Sequence, residues 1–269
     1  MNNNKLARIM TIAGSDSGGG AGIQGDIKTI SSLGGYATSA ITAVTAQNTK
    51  GVTNILNMPL NIIEEQIIAI LNDIGTDAIK IGMLSNEEII LCVTKILSKL
   101  KNKVPIVLDP VMVAKGGHKL LDTGAEKALV NKLLPLCTII TPNIPEAEVI
   151  TGSKINNVDD LKISGEKILK MGIDNVLMKG GHLEDSILVD VLISEDAIDF
   201  FKSKKIITKN SHGTGCTLSS AIACGLGKKL TLKKAVSKAH KYVNKAILYA
   251  PDIGEGNGPL NHLVKMWKL

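Results

Sequence analysis

Aromatic side chains are nearly missing from this chain: two Phe, three Tyr and one Trp among 269 residues. Ile, Leu, Val and Ala must therefore fill the core, and a hydrophobic fraction of 44% supplies them in quantity for a large one. Arginine is nearly missing too, because of 31 basic residues only Arg8 is an arginine. A reader of nucleic acid would pair arginine with exposed aromatics, so the net charge of +6 does not point there. The lysines in 202–205 and 233–245 are interspersed with other residues and read as solvated faces. A basic balance also suits a phosphate-rich substrate. No apolar run reaches membrane-spanning length, and from the polar opening Met1-Asn2-Asn3-Asn4-Lys5 no signal peptide is expected. Cys92, Cys137, Cys216 and Cys224 show neither CxxC nor zinc spacing. The expectation is a soluble cytoplasmic protein with reduced thiols and no nucleic-acid or membrane partner.

What is present is an alternation of short apolar runs with helical patterns. Ile9 to Ala13 reads as a buried strand ending in Gly14-Ser15-Asp16-Ser17-Gly18-Gly19-Gly20-Ala21-Gly22. Gly20, Gly22 and Gly25 fit GxGxxG, but a dinucleotide site wants an acidic residue ~20 positions on. After Asp26 the next is Glu64, and no Lys-Ser or Lys-Thr closes a P-loop. Further strands are expected at 36–45, 78–81, 105–108, 138–140 and 176–179, and a hairpin joins 188–193 to 197–201. Helices are expected at 26–33, 62–71, 87–100, 123–134, 145–151, 161–171 and 232–249. Strands alternating with helices imply a mostly parallel sheet covered on both faces. No repeat or linker interrupts the pattern, so residues 1–269 read as one α/β domain.

The polar residues gather in one kind of place. Asp109, Asn143 and Lys179 each follow an apolar strand, and ligands of open α/β sheets bind outside those strand ends. Asp109 with Asn143 and Glu146 can hold Mg²⁺, directly or through water. Structural alternatives stand beside them: Asp before Pro is a common turn, and Asn143 to Glu146 is spaced as a helix cap. Lys179 before two glycines is placed to neutralise phosphate oxygens, or else stands in solvent.

The chain is organised around residues 210–227. Gly213 and Gly215 break regular structure, and Leu218, Ile222 and Leu226 then recur at helical spacing. The N–H groups of Thr214, Gly215 and Cys216 would be unpaired at that helix N-terminus and suit an anion. Cys216 sits in such a turn, where a thiolate is favoured, and it either accepts the substrate's proton or only shapes the loop. His118, His182, His240 and His262 read as structural or surface residues, and His212 adjoins the anion loop. Cradle, carboxylates and lysine together describe a site for phosphoryl transfer.

Several of these segments resemble the signature of the hydroxymethylpyrimidine/phosphomethylpyrimidine kinases. They are the glycine-rich stretch 14–24, Thr45-Ala46-Gln47-Asn48, Asp109-Pro110-Val111-Met112-Val113 and Thr141-Pro142-Asn143-Ile144-Pro145-Glu146-Ala147. Lys179-Gly180-Gly181-His182 and His212-Gly213-Thr214-Gly215-Cys216-Thr217-Leu218-Ser219 complete the series, in order through nearly the whole chain. The resemblance implies a ribokinase-like fold with a central, mainly parallel sheet flanked by helices. It implies ATP-dependent phosphorylation of 4-amino-5-hydroxymethyl-2-methylpyrimidine and then of its monophosphate. By that likeness Cys216 takes the place of the sugar kinases' catalytic aspartate, and Gly213, Thr214 and Gly215 complete the anion hole. Lys179 and Asn143 would meet ATP, and Asp109 and Glu146 would serve Mg²⁺. Gln47, Asp26, Gly14, Met83 and Val111 would line the pyrimidine pocket. A homodimer is expected, because relatives are often dimers. Pyridoxal kinases are related, and Gln47 and Ala114 both favour the pyrimidine branch. A nucleotide-binding regulator without turnover is the non-enzymatic alternative, against which Asp109, Lys179 and Cys216 argue.

Overall fold

The apolar runs become neighbouring strands of one sheet in the computed structural model, which describes residues 6–100, 103–113, 117, 120–122, 124–181 and 187–264. In chain order the elements are β1 (Arg8–Asp16), α1 (Gly22–Ser32), β2 (Tyr36–Asn48), β3 (Gly51–Asn57), α2 (Leu60–Ala69), β4 (Ala78–Ile81), α3 (Glu87–Leu97) and β5 (Ile106–Leu108). Then come α4 (Ala125–Ala128), β6 (Ile139–Ile140), α5 (Ile144–Thr151), α6 (Val158–Leu169), β7 (Asn175–Met178), β8 (Ile187–Ser194), β9 (Ile198–Lys204), α7 (Thr214–Gly227) and α8 (Leu232–Leu248). The strand order is β3-β2-β1-β4-β5-β6-β7-β8-β9. Strands β2 through β7 along this order pair in parallel, while β3, β8 and β9 add antiparallel edges.

Both faces of the sheet are apolar, because successive residues of a strand point to opposite sides. Met10, Ile79, Leu108, Ile140 and Val176 pack on one side with residues of α2, α3, α4, α5 and α6. Ile9, Ala78, Val107, Ile139 and Leu177 pack on the other with residues of α1, α7 and α8. Helix starts follow their caps: the Asn86 side chain accepts from the N–H of Ile89, and Glu87 and Glu88 occupy the first turn of α3.

The strand order reverses at β1, whose neighbours β2 and β4 lie on opposite sides. Such a switch point opens a crevice at the carboxyl ends of the strands. The loop 14–22 leaves β1 there, Gln47 lies near the end of β2, and Met83, Asp109, Asn143 and Lys179 follow β4, β5, β6 and β7.

Two expectations are corrected. The strand that starts at Tyr36 runs on to Asn48 and returns as β3, an edge strand with no buried residue and Leu56 70% exposed. With no buried face, β3 has no alternation for a sequence pattern to show. The helix expected at 123–134 is only Ala125–Ala128, followed by wider and tighter turns at 129–133 and 134–136 where Pro135 interrupts. Its expected first residue, Thr123, lies outside the described residues, as do Ala114, His118 and His182. Among the described residues no helix is long and apolar enough to cross a membrane.

Candidate active site

Helix α7 begins without a side-chain cap, on Gly213 at φ +84°. That left-handed conformation suits glycine, and a Cβ there would stand 1.9 Å from the Gly20 carbonyl oxygen. The turn at 213 is therefore locked against the loop that follows β1. No side chain caps the first turn of α7, and uncapped N–H groups of a helix start suit an anion. Beside them, a Cβ on Gly215 would lie 3.2 Å from Lys179 Nζ and 3.4 Å from Asp109 Oδ2. The fold thus brings the anion turn, Lys179 and Asp109 into one place.

Lys179 Nζ donates to Asp109 Oδ1 at 3.0 Å and lies 3.9 Å from Glu146 Oε2. Burial opposes its charge, but Asp109 and Glu146 outweigh burial and hold its pKa above the ordinary lysine value. Glu146 is pushed up to about 7, chiefly by burial; Lys179 pulls it down and Asp109 pushes it up. The capping alternative for Asn143 and Glu146 is realised. Asn143 N–H donates to Glu146 Oε2 at 2.8 Å, and Glu146 N–H donates to Asn143 Oδ1 at 2.9 Å. The cap sets Glu146 near Lys179, so capping does not take this carboxylate away from the lysine. The Asn143 oxygen is taken up by the cap.

The residues assigned to a pyrimidine pocket divide. A Cβ on Gly14 would meet the Met83 sulfur at 3.3 Å, so these two adjoin. Val111 is half-buried after β5. The Ser17 hydroxyl clamps the Gln47 backbone, accepting from its N–H at 2.8 Å and donating to its carbonyl at 2.7 Å. Asp26 departs from expectation. It has no exposed surface and accepts from Thr11 Oγ1 at 2.5 Å, Lys80 Nζ at 2.9 Å and Ser220 Oγ at 2.7 Å. These three donors anchor its carboxylate inside the protein.

Lys80, the partner of Asp26, escaped the sequence reading. Both side chains are fully buried. Burial opposes the Lys80 charge, and Asp26, Cys216 and Asp109 together overcome it and raise its pKa. The signal was available: a lone charge in the strand Ala78-Ile79-Lys80-Ile81 must find a partner inside. Asp16 was missed as well. Its carboxylate gathers the N–H groups of Gly18, Gly20 and Ala21 at 2.8–3.0 Å and shapes the loop after β1.

Cys216 requires a second correction. Its pKa is raised to about 11, first by burial; Lys80 pulls it down, Asp26 and Asp109 push it up, and the Gly22 N–H pulls it down. Its residue is partly open to the cleft, but protein surrounds the sulfur closely enough to outweigh the helix N-terminus. At neutral pH it is a thiol, not the thiolate expected from its position.

The chain is a phosphotransferase with a ribokinase-like fold. It belongs to the phosphomethylpyrimidine kinase family, whose model matches residues 16–261. It is 48% identical over 263 residues to hydroxymethylpyrimidine/phosphomethylpyrimidine kinase of Haemophilus influenzae, covering 96% of this chain and 97% of that protein. It is 44% identical over 256 residues to the thiamine biosynthesis bifunctional protein ThiED of Geobacter sulfurreducens, covering 95% of this chain. The match spans about half, 52%, of that longer protein. The ADP complex of Bacillus subtilis pyridoxal kinase superposes with a TM-score of 0.89 at 35% identity, over 96% of this chain and 97% of that one. Fold and family agree with the reading of the sequence.

The buried pair gives a sharp expectation. Lys80→Met leaves Asp26 charged and unpaired, and should cost ~3–5 kcal/mol of stability in urea unfolding. Lys80→Met with Asp26→Asn removes both charges, keeps an acceptor for one of the two hydroxyls and offers its NH₂ to the oxygen of the other, so it should recover most of that loss. A double variant no more stable than Lys80→Met would refute the pairing.

Proposed function

We propose that this protein transfers the γ-phosphoryl group of ATP to the hydroxymethyl oxygen of 4-amino-5-hydroxymethyl-2-methylpyrimidine, and then phosphorylates the monophosphate to the diphosphate for thiamine synthesis. The observation that supports this most is the uncapped N-terminus of α7 beside Lys179 and Asp109, at the same sheet edge as Gly14, Met83 and Gln47. The substrate oxygen forms a bond to the γ-phosphorus, the bond to the bridging oxygen breaks, and ADP leaves. Lys179 and the N–H groups of Thr214, Gly215 and Cys216 neutralise charge on the transferred group. The Cys216 thiol already holds its proton, so the hydroxyl proton passes to the transferred phosphoryl oxygens and on to water.

Mg²⁺ fits the donor set in one manner. Among the described residues no three His, Cys, Asp or Glu side chains cluster to enclose a metal. Asp109 and Glu146 are two buried carboxylates around one lysine, and Mg²⁺ that keeps its waters and binds nucleotide phosphates needs no more from a protein. They would hold it, and when bound it supplies neutralisation of the β- and γ-phosphate oxygens.

A second reading, phosphorylation of pyridoxal, is favoured by the likeness to the Bacillus subtilis enzyme. Gln47 opposes it, since one amide offers an acceptor beside a donor and so matches a ring nitrogen next to an amino group.

ATP turnover with the pyrimidine alcohol, its monophosphate and pyridoxal separates the readings. Both pyrimidines should turn over, with kcat/KM for the alcohol at least about tenfold above pyridoxal. The reverse order supports the pyridoxal reading, and no turnover with any of them refutes an active kinase. Glu146→Gln should raise the Mg²⁺ concentration for half-activation about tenfold while leaving the alcohol's KM near its original value. An unchanged Mg²⁺ curve would refute the metal role.

A further inference from the structure

Three segments distant in sequence meet at one imidazole. His212, just before the anion turn, places Nε2 2.9 Å from Asp16 Oδ2 and 3.3 Å from the Gln47 side-chain amide. Asp16 is 3% exposed and His212 13% exposed. The ring lies against Gly20, where a Cβ would be 2.5 Å from His212 Cδ2, and the His212 N–H donates to the Gly258 carbonyl at 3.0 Å. Its place is therefore fixed from several sides.

The protonation of Nε2 follows from its neighbours. Asp16 accepts from three backbone N–H groups, so it is a carboxylate and can only accept. Burial raises its pKa, but His212 and the N–H groups of Ala21 and Gly18 outweigh burial and hold it below the usual value. His212 Nε2 must then carry a proton and donate. That settles which way the Gln47 amide faces, a choice made by hydrogen bonding alone. In one orientation the Gln47 NH₂ faces Nε2–H, donor against donor, at 3.3 Å. In that same orientation Gln47 Oε1 faces Thr45 Oγ1 at 3.2 Å, although the single Thr45 hydroxyl proton is committed to the Ser15 carbonyl at 2.8 Å. Turning the amide by half a turn relieves both contacts: the single His212 Nε2–H, donated to Asp16 Oδ2 at 2.9 Å, is shared with Gln47 Oε1 as a weaker second acceptor at 3.3 Å, and the Gln47 NH₂ donates to Thr45 Oγ1.

We propose that His212, with its Nε2–H held by Asp16, is a positioning residue that fixes the Gln47 amide in this orientation and so sets substrate specificity. One N–H and one carbonyl lone pair of Gln47 remain for the ligand. They match a ring nitrogen and an adjacent exocyclic amino group in one register only, the amide N–H to the ring nitrogen and the amino N–H to Oε1. The proposal rests on Gln47 reading the pyrimidine. It also links the two ends of the site, because His212 adjoins Gly213 at the start of the anion turn.

The test is a double-mutant cycle. His212→Met and His212→Gln are each made alone and with Gln47→Met, measuring kcat/KM for the aminopyrimidine alcohol and KM for ATP. His212→Met should lower kcat/KM about tenfold, mostly through the alcohol's KM, with KM for ATP within about twofold. It should add almost nothing to Gln47→Met. His212→Gln, whose amide N–H reaches about as far as Nε2, should recover most of the loss. Equal loss in both Gln47 backgrounds, or a parallel rise in KM for ATP, would overturn the positioning role. If Gln47→Met alone changes nothing, the underlying reading of Gln47 is what fails. A measurement on the unmodified protein stands beside the variants: ¹⁵N NMR should show His212 Nε2 protonated at neutral pH, and an unprotonated Nε2 overturns the proposal whether or not the variants fold.

Discussion

Asp26 and Lys80 form an ion pair with no exposure on either side, at the point where the strand order reverses. Asp26 comes from α1 and Lys80 from β4; Thr11 of β1 and Ser220 of α7 donate to the same carboxylate. One carboxylate thus ties together the two strands and two helices that frame the crevice. Removing two charges from water costs several kcal/mol each, and only close pairing with further hydrogen bonds offsets it. Neither residue can change alone, so α1 is fixed against β4 by charge as well as by packing, and the Ser220 hydroxyl ties α7 to the same carboxylate.

That constraint reaches the chemistry through α7. The turn at Gly213 is held against Gly20, and Gly215 beside Lys179 and Asp109. The site is then a balance of fixed charges. Lys80 lies under it, Lys179 stands within it, and Asp26, Asp109 and Glu146 answer them. Dipoles and charges that are fixed before the substrate arrives need no reorganisation as phosphoryl charge develops. In this setting the Cys216 sulfur gains little from the helix terminus, because burial and the nearby carboxylates favour the neutral thiol.

The sheet and its polar edge were legible in the sequence, since buried parallel strands read as short apolar runs whose ends carry the unusual polar residues. Asp109 and Lys179 stood out for that reason, and so did the glycines around Thr214. Strand β3 did not, because both its faces are solvated. Lys80 hid among isoleucines, and its meaning depended on Asp26, 54 positions away. The Asp16–His212 contact spans 196 positions, a distance no local pattern can express. The thiolate expectation for Cys216 failed for a related reason: a helix terminus is visible in sequence, but the burial that opposes it is not.

In the proposed mechanism, fixed charge and backbone N–H groups, not a thiolate base, carry phosphoryl transfer at the α7 turn. The most direct measurement is kcat against pH for Cys216→Ser with the aminopyrimidine alcohol at saturating ATP. The account predicts kcat within about threefold of the unmodified protein and an unchanged acidic limb. A loss of roughly 100-fold or more, with the acidic limb displaced, would contradict it and make Cys216 the base.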